Sequence, residues 1–269
     1  MTFESVMSGL KAGNYAPSYL LMGEEAYYID QIADFIAEHA IKPEERDFNQ
    51  QIVFGADVTG AQVADMARSY PVMAERQVII VKEAQNIKNW DQLERYLEKP
   101  AKTTVLVVCY KNGTIDGRKK ILTRFKNAGV VFESKKKRDN ELPPFIEAYL
   151  KKRTKVTIEN KAAQMLADHI GADLSRLTGE IDKLLLSLEE GDTRITPQMV
   201  EKRIGISKDF NAFELRSAIA AKDVVKANLI LKYFDSNPKT GGAFALIPVI
   251  FSYFQNLMLA YYAPNRHND

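Results

Sequence analysis

A glycine followed by two carboxylates, Gly23-Glu24-Glu25, stands between a strand-like run at Ser18 to Met22 and the start of a helical pattern. A strand-to-helix turn of this kind is where a nucleotide-binding protein cradles phosphate, through the pattern G-x-x-x-x-G-K-[ST]. Glycine amides wrap the phosphates, Lys neutralises them and the hydroxyl holds Mg²⁺. Here the turn reads Met22-Gly23-Glu24-Glu25-Ala26-Tyr27, whose carboxylates repel triphosphate, and the dipeptide Gly-Lys occurs nowhere in the chain. The acidic Mg²⁺ ligand expected after the third strand is displaced too, because Val78-Ile79-Ile80-Val81 runs into Lys82-Glu83 and Lys cannot coordinate a cation. Glu83 reads as a solvated or ion-paired residue.

The remaining reactive residue types form no constellation. Neither a G-x-G-x-x-G fingerprint nor a G-x-S-x-G elbow is present. Cys109, the single cysteine, ends an apolar run and reads as an inert buried thiol, and it leaves no partner for an internal disulfide. His39, His169 and His267 are scattered and offer no ligand cluster, and Asp168 beside His169 points away from it on a helix. No catalytic, cofactor-binding or metal-binding residue is therefore assigned. Two basic clusters, Lys135-Lys136-Lys137-Arg138 and Lys151-Lys152-Arg153, are candidates for phosphate contacts with DNA. A solvated face is the commoner origin of such runs, and no stacking aromatics are interleaved with these.

The elements that position these residues follow from periodicity. Strands are expected at Ser18 to Met22, Gln51 to Phe54, Val78 to Val81, Val105 to Cys109 and Val130 to Phe132. Helical patterns lie between them: one with Ile29, Ile32, Ala33 and Ile36 inward, one with Val63, Met66, Ala67 and Tyr70 on one face, one through Trp90, Leu93 and Leu97, and one from Asp116 to Asn127. This alternation predicts a parallel sheet with crossover helices. The pattern stops at Lys135 to Asp139 and Pro143-Pro144, after which helices are expected at about Pro144 to Lys152, Asn160 to Ile170, Leu174 to Leu188 and Pro197 to Arg203. Gly205 to Asp209 then leads to helices near Phe213 to Ala220, Val224 to Phe234 and Ala243 to Tyr262, with turns at Asn237-Pro238 and Gly241-Gly242. The expected domains are 1–140, an α/β domain; 141–207, a small helical domain; and 208–269, a helical bundle that is incomplete, since Leu246, Ile250, Phe254 and Leu257 lack partners. A truncated chain or a partner subunit would account for that.

Composition narrows the class. At 269 residues with 46% hydrophobic and 27% charged residues, the chain is an ordinary folded protein rather than a disordered or collagenous one. Its 37 Lys and Arg against 35 Asp and Glu confine any nucleic-acid contact to local patches. The amino terminus lacks the basic start and long apolar core of a secretory signal. Ala243 to Ala263 is long enough to span a bilayer, but Ser252, Gln255 and Asn256 form a polar stripe and Pro248 breaks the first half, so an amphipathic bundle helix is expected rather than a membrane segment. A cytoplasmic location is expected.

Several stretches resemble the delta subunit of the bacterial DNA polymerase III clamp loader. Pro17-Ser18-Tyr19-Leu20-Leu21-Met22-Gly23-Glu24-Glu25-Ala26-Tyr27-Tyr28-Ile29-Asp30 looks like that family's opening strand, acidic turn and first helix. Ala67 to Glu83, with Glu75-Arg76-Gln77-Val78-Ile79-Ile80-Val81-Lys82, is similar to its second block. Looser similarity covers Gly171 to Leu177, Glu180 to Leu184 and Phe213-Glu214-Leu215 through Leu231. The resemblance implies an α/β plus all-α protein: an AAA+-like parallel-sheet domain, a helical lid and a collar-type domain. It implies no catalytic site and no cofactor, but membership of a DNA-directed DNA polymerase holoenzyme. The implied partners are the sliding clamp (beta subunit), the ATPase subunits and delta prime of the loader, and primer-template DNA.

In that family an exposed apolar hook after the second long helix enters a pocket on the clamp, and Tyr70-Pro71-Val72-Met73 are the matching residues. Pro71 ends the helix and holds its neighbour extended, while an aliphatic residue and a flexible Met suit an apolar groove. Members often carry bulkier Leu or Phe where this sequence has Val-Met. Without the resemblance, Val72 and Met73 would be read as covering the sheet edge. The alternatives to a clamp-loader subunit are an atypical nucleotide hydrolase with a rearranged phosphate site around Gly23, and an assembly scaffold outside replication that shares the fold.

Overall fold

A computed structural model of the chain describes residues 1–189, 191–204, 210–236 and 242–263. The expected linker at Gly205 to Asp209, the turn at Asn237-Pro238, Gly241 and His267 lie outside these. The chain divides into two compact units, Met1–Lys137 and Arg138–Asp269.

In the first unit α1 (Phe3–Lys11) precedes β1 (Ser18–Gly23). α2 (Ala26–His39) and the short α3 (Arg46–Asn49) lead to β2 (Gln50–Phe54), and α4 (Gly60–Arg68) to β3 (Gln77–Lys82). α5 (Asp91–Tyr96) connects to β4 (Thr104–Lys111), and α6 (Lys120–Ala128) to β5 (Val130–Ser134). The strands pair in parallel in the order β2-β3-β4-β1-β5, with Leu20 opposite Val108 and Ile79 opposite Leu106. Because helices cover both faces, β1, β3 and β4 are apolar at successive positions rather than alternating. The pleat still divides the core. Leu20, Met22, Ile79, Val81, Leu106 and Val108 pack with α4, α5 and α6, while Leu21, Ile80, Val107 and Cys109 pack with α1 and α2.

Two local expectations are corrected, and one helix is added. α1 was unmarked in the sequence because it buries only Val6 and Leu10, too few to show a period. Asp116 does not begin a helix: its carboxylate accepts from the Arg118 backbone N–H at 3.0 Å and from the Arg118 guanidinium, a local turn that competes with helical pairing and delays α6 to Lys120. Tyr70 is not on the buried face of α4, which ends at Arg68; Ser69 is extended, and Tyr70 is exposed.

The second unit contains α7 (Leu142–Arg153), β6 (Thr157–Ile158), α8 (Asn160–Ile170), α9 (Leu174–Leu186), β7 (Arg194–Ile195) and α10 (Pro197–Ile204). α11 (Ala212–Ala220), α12 (Val224–Ser236) and α13 (Gly242–Tyr261) complete it. β6 and β7 pair in parallel over two residues each, too short to leave a sequence period. Leu215, Ile230, Phe234 and Leu246 form a small core among α11, α12 and α13, with Ile250 packed against it. Beyond Ile250, α13 presents Phe251, Phe254, Leu257 and Met258 to solvent. Pro248 lies inside this helix and does not end it, contrary to the expected break. Phe244–Tyr261 is long and apolar enough to cross a membrane by length and composition, and 6% of it is buried.

Gly23 closes β1 with φ +131°, and a Cβ there would lie 2.0 Å from the Ser134 carbonyl oxygen. The G23A variant is expected to lose at least ~2 kcal/mol of stability, since neither backbone can yield. Urea unfolding followed by Trp90 fluorescence, the single tryptophan and a member of this unit, would measure it.

Candidate functional site

The β1 to α2 turn is closed by the protein's own groups. The Gly23 N–H donates to the Gly113 carbonyl at 2.8 Å and the Glu24 N–H to the Ser134 carbonyl at 3.2 Å. Glu25, 6% exposed, caps α2, its carboxylate accepting from the Tyr27 N–H at 3.1 Å. The helix N-terminus that would bind a phosphate thus carries a covalent anion already. Beside it, at the C-terminal ends of β3 and β4, Lys111 pairs with Asp30 at 2.7 Å and Lys82 with Asp34 at 3.8 Å, so two successive turns of α2 neutralise both lysines. Glu83, exposed and in the left-handed region at φ 51°, turns the chain away from β3.

At the opposite, N-terminal ends of the strands lies the loop between α4 and β3. Tyr70 is 85%, Val72 53% and Met73 99% exposed, and Met73 adopts φ 51°. Burial of these side chains therefore does not hold the loop. Its backbone is held from beneath. The last carbonyls of α4 have no glycine C-cap; instead the Gln77 amide donates to Met66 O at 3.2 Å and Ser69 O at 2.5 Å, and the hydroxyls of Thr104 and Tyr96 donate to Ala67 O at 2.9 and 3.3 Å. On the other leg, the Asn49 carboxamide meets both backbone groups of Val72. Phe48, immediately before it, is 74% exposed and was not singled out in the sequence; a lone aromatic in a short helix carries no periodic signal. Past the loop, Arg76 lies over the Tyr15 ring at 5.1 Å, lining a 670 Å³ cavity with Tyr19 and Lys102.

The two basic clusters are placed differently. Lys135, Lys136 and Arg138 are exposed in the segment after β5. Lys151, Lys152 and Arg153 form the exposed last turn of α7, where they complement its dipole. Arg153 is engaged internally, 3.0 Å from Asp182 and stacked 4.7 Å over the Tyr149 ring. His39 bonds the Phe35 carbonyl and stacks on its ring at the end of α2, and burial pushes the His169 imidazole down. Among the described residues, no group of three or more His, Cys, Asp or Glu could hold a metal ion.

Residues 19–135 match the family model described as DNA polymerase III, delta subunit. DNA polymerase III subunit delta of Bacillus subtilis is 30% identical over 230 residues, which take in 81% of this chain. The match spans 65% of that relative, just under two thirds of its length. Among solved structures, the Bacillus subtilis DNA clamp loader delta protein YqeN superposes with a TM-score of 0.66 at 25% identity, covering 97% of this chain and 79% of its own. The expected class, a parallel-sheet α/β unit followed by helices, is the one that the strand order and this likeness support.

Cys109 is 1% exposed, and burial, reinforced by nearby Asp30, pushes its thiol up to about 12. The sign is toward inertness, since at pH 8 only on the order of one thiol in ten thousand is ionised. A disulfide reagent at pH 8 should leave the native chain unmodified and titrate one thiol once urea unfolds it; rapid native labelling would contradict the burial.

Proposed function

We propose that the chain is a member of the DNA polymerase III delta subunit family, whose model, curated relative and solved structure it resembles, and that it is the clamp-loader subunit that binds the sliding clamp through Tyr70, Pro71, Val72 and Met73 and helps to open it for loading on primed DNA. The observation that carries the reading is the loop itself: apolar side chains exposed as far as 99% at Met73, on a backbone held by buried amides. Exposed apolar residues on a fixed loop are arranged to enter another protein's groove with little left to order.

The mechanism is a shift of population rather than chemistry. A wedge that binds the open ring better than the closed one moves the ring's equilibrium by its differential affinity. ATP hydrolysis is assigned to the loader's ATPase subunits, with delta prime as a further partner in the complex. In support, the amides of the β1 to α2 turn are partnered internally and Glu25 occupies the α2 N-terminus, which also weighs against the nucleotide-hydrolase alternative. Residues 141–207 serve as the lid and 208–269 as the start of the collar. The basic residues proposed to meet DNA phosphates are Lys135, Lys136, Lys137 and Arg138, with Lys151, Lys152 and Arg153; all but the half-buried Lys137 are exposed. The setting is the cytoplasm.

Calorimetric titration with the cognate sliding clamp tests the reading. Truncating both exposed side chains in V72A/M73A should leave folding intact and weaken binding at least about 10-fold, as loss of an interface hot spot does. Equal affinity of the variant and the natural chain would overturn the assignment of the loop. Heat on titration with MgATP would reinstate the hydrolase.

A further inference from the structure

We propose that Asn49 is the positioning residue of the clamp-binding loop, the group that sets the direction in which Val72 and Met73 project; this rests on the reading of that loop as the clamp contact. Asn49 ends α3, 23 residues before Val72 by sequence and outside every block that carried the family resemblance. Its side chain is buried at 3% exposure, although it lies beneath one of the most exposed loops of the chain. The carboxamide oxygen accepts from the Val72 N–H at 2.6 Å, and the amide nitrogen donates to the Val72 carbonyl at 3.0 Å and to the Glu45 carbonyl at 3.0 Å. Two antiparallel bonds to one residue imitate a rung of a sheet ladder and fix the orientation of its peptide planes. The bond to Glu45 fixes the amide itself. Asn is the shortest side chain that offers both an acceptor and two donors in one plane, so no other residue of its size makes all three contacts.

The bracket matters because side-chain burial does not hold the loop tip. Tyr70 and Met73 are almost fully solvent-exposed, and Met73 adopts a left-handed conformation that a non-glycine residue disfavours. Gln77 holds the leg that leaves α4, and Asn49 the stretch that carries the apolar residues. With the bracket removed, the clamp-competent conformation becomes one of several, and the apparent affinity falls by the fraction that remains competent.

The test is a double-mutant cycle on the full chain, using clamp titration and the hydrogen exchange of the Val72 amide in the free protein. N49A is expected to weaken clamp binding about 10-fold, to accelerate exchange at Val72, and to have little further effect in the V72A/M73A background, because its action passes through those side chains. The isosteric N49D keeps the acceptor and loses the donors, so it should also weaken binding; it decides the question if N49A does not fold. Full affinity in a folded N49A or N49D chain would overturn the proposal, as would an N49A effect that adds undiminished to that of V72A/M73A. Unaltered binding by V72A/M73A itself would instead remove the underlying reading of the loop.

Discussion

A helix that must release its chain into an extended, solvent-exposed segment leaves its last carbonyls without partners, and the way α4 meets that constraint shapes the rest of this protein's exposed loop. A glycine cap would have turned the chain back through a left-handed residue. Here Ser69 continues outward, and the carbonyls of Met66, Ala67 and Ser69 are taken by Gln77, Thr104 and Tyr96, side chains supplied by β3, β4 and α5. Gln77 and Thr104 also bond each other at 3.0 Å, and both are buried. Buried polar groups of this kind are stable only when fully satisfied, so the loop's foot is as fixed as the sheet that provides it.

The opposite edge of the same sheet uses the same principle to a different end. In a doubly wound sheet, ligands meet the chain at the C-terminal ends of the strands, where backbone amides are open to them. Here Gly23 and Glu24 donate to Gly113 and Ser134, Glu25 caps α2, and Asp30 and Asp34 answer Lys111 and Lys82. The edge that would serve chemistry is satisfied internally. What the unit exposes at its other end is an apolar loop, Tyr70, Val72 and Met73, on a base of buried hydrogen bonds.

The helical unit is organised by weaker constraints. α11, α12 and α13 share only a small core around Leu215, Ile230, Phe234 and Leu246, while Phe251, Phe254, Leu257 and Met258 face solvent on α13. An apolar face of that extent is characteristic of a surface used in association. The polar stripe of Ser252, Gln255 and Asn256 lies on the same exposed stretch, so amphipathicity alone did not reveal which side of this helix would be covered.

The sequence by itself determined the parallel sheet, because continuous apolar runs such as Val78 to Val81 and Val105 to Cys109 are demanded by burial on two faces and need no distant information. It also argued against a phosphate cradle at the first strand-to-helix turn, since the chain has no Gly-Lys dipeptide and the charges of Glu24 and Glu25 repel triphosphate. The location of the exposed loop was legible from the family likeness around Ala67 to Glu83, but not its support. Asn49 and Gln77 are polar residues that the sequence offers no reason to bury, and Tyr70 fits the helical period of α4 although the helix stops short of it. Periodicity reports which face of an element is apolar within a few residues; hydrogen bonds between Asn49 and Val72, or Gln77 and Thr104, join positions 23 and 27 residues apart. Only the tertiary structure could bring those groups together, because their bonding is decided by which strand ends the sheet order makes neighbours, and that order is set by packing of the whole unit rather than by any local stretch of chain.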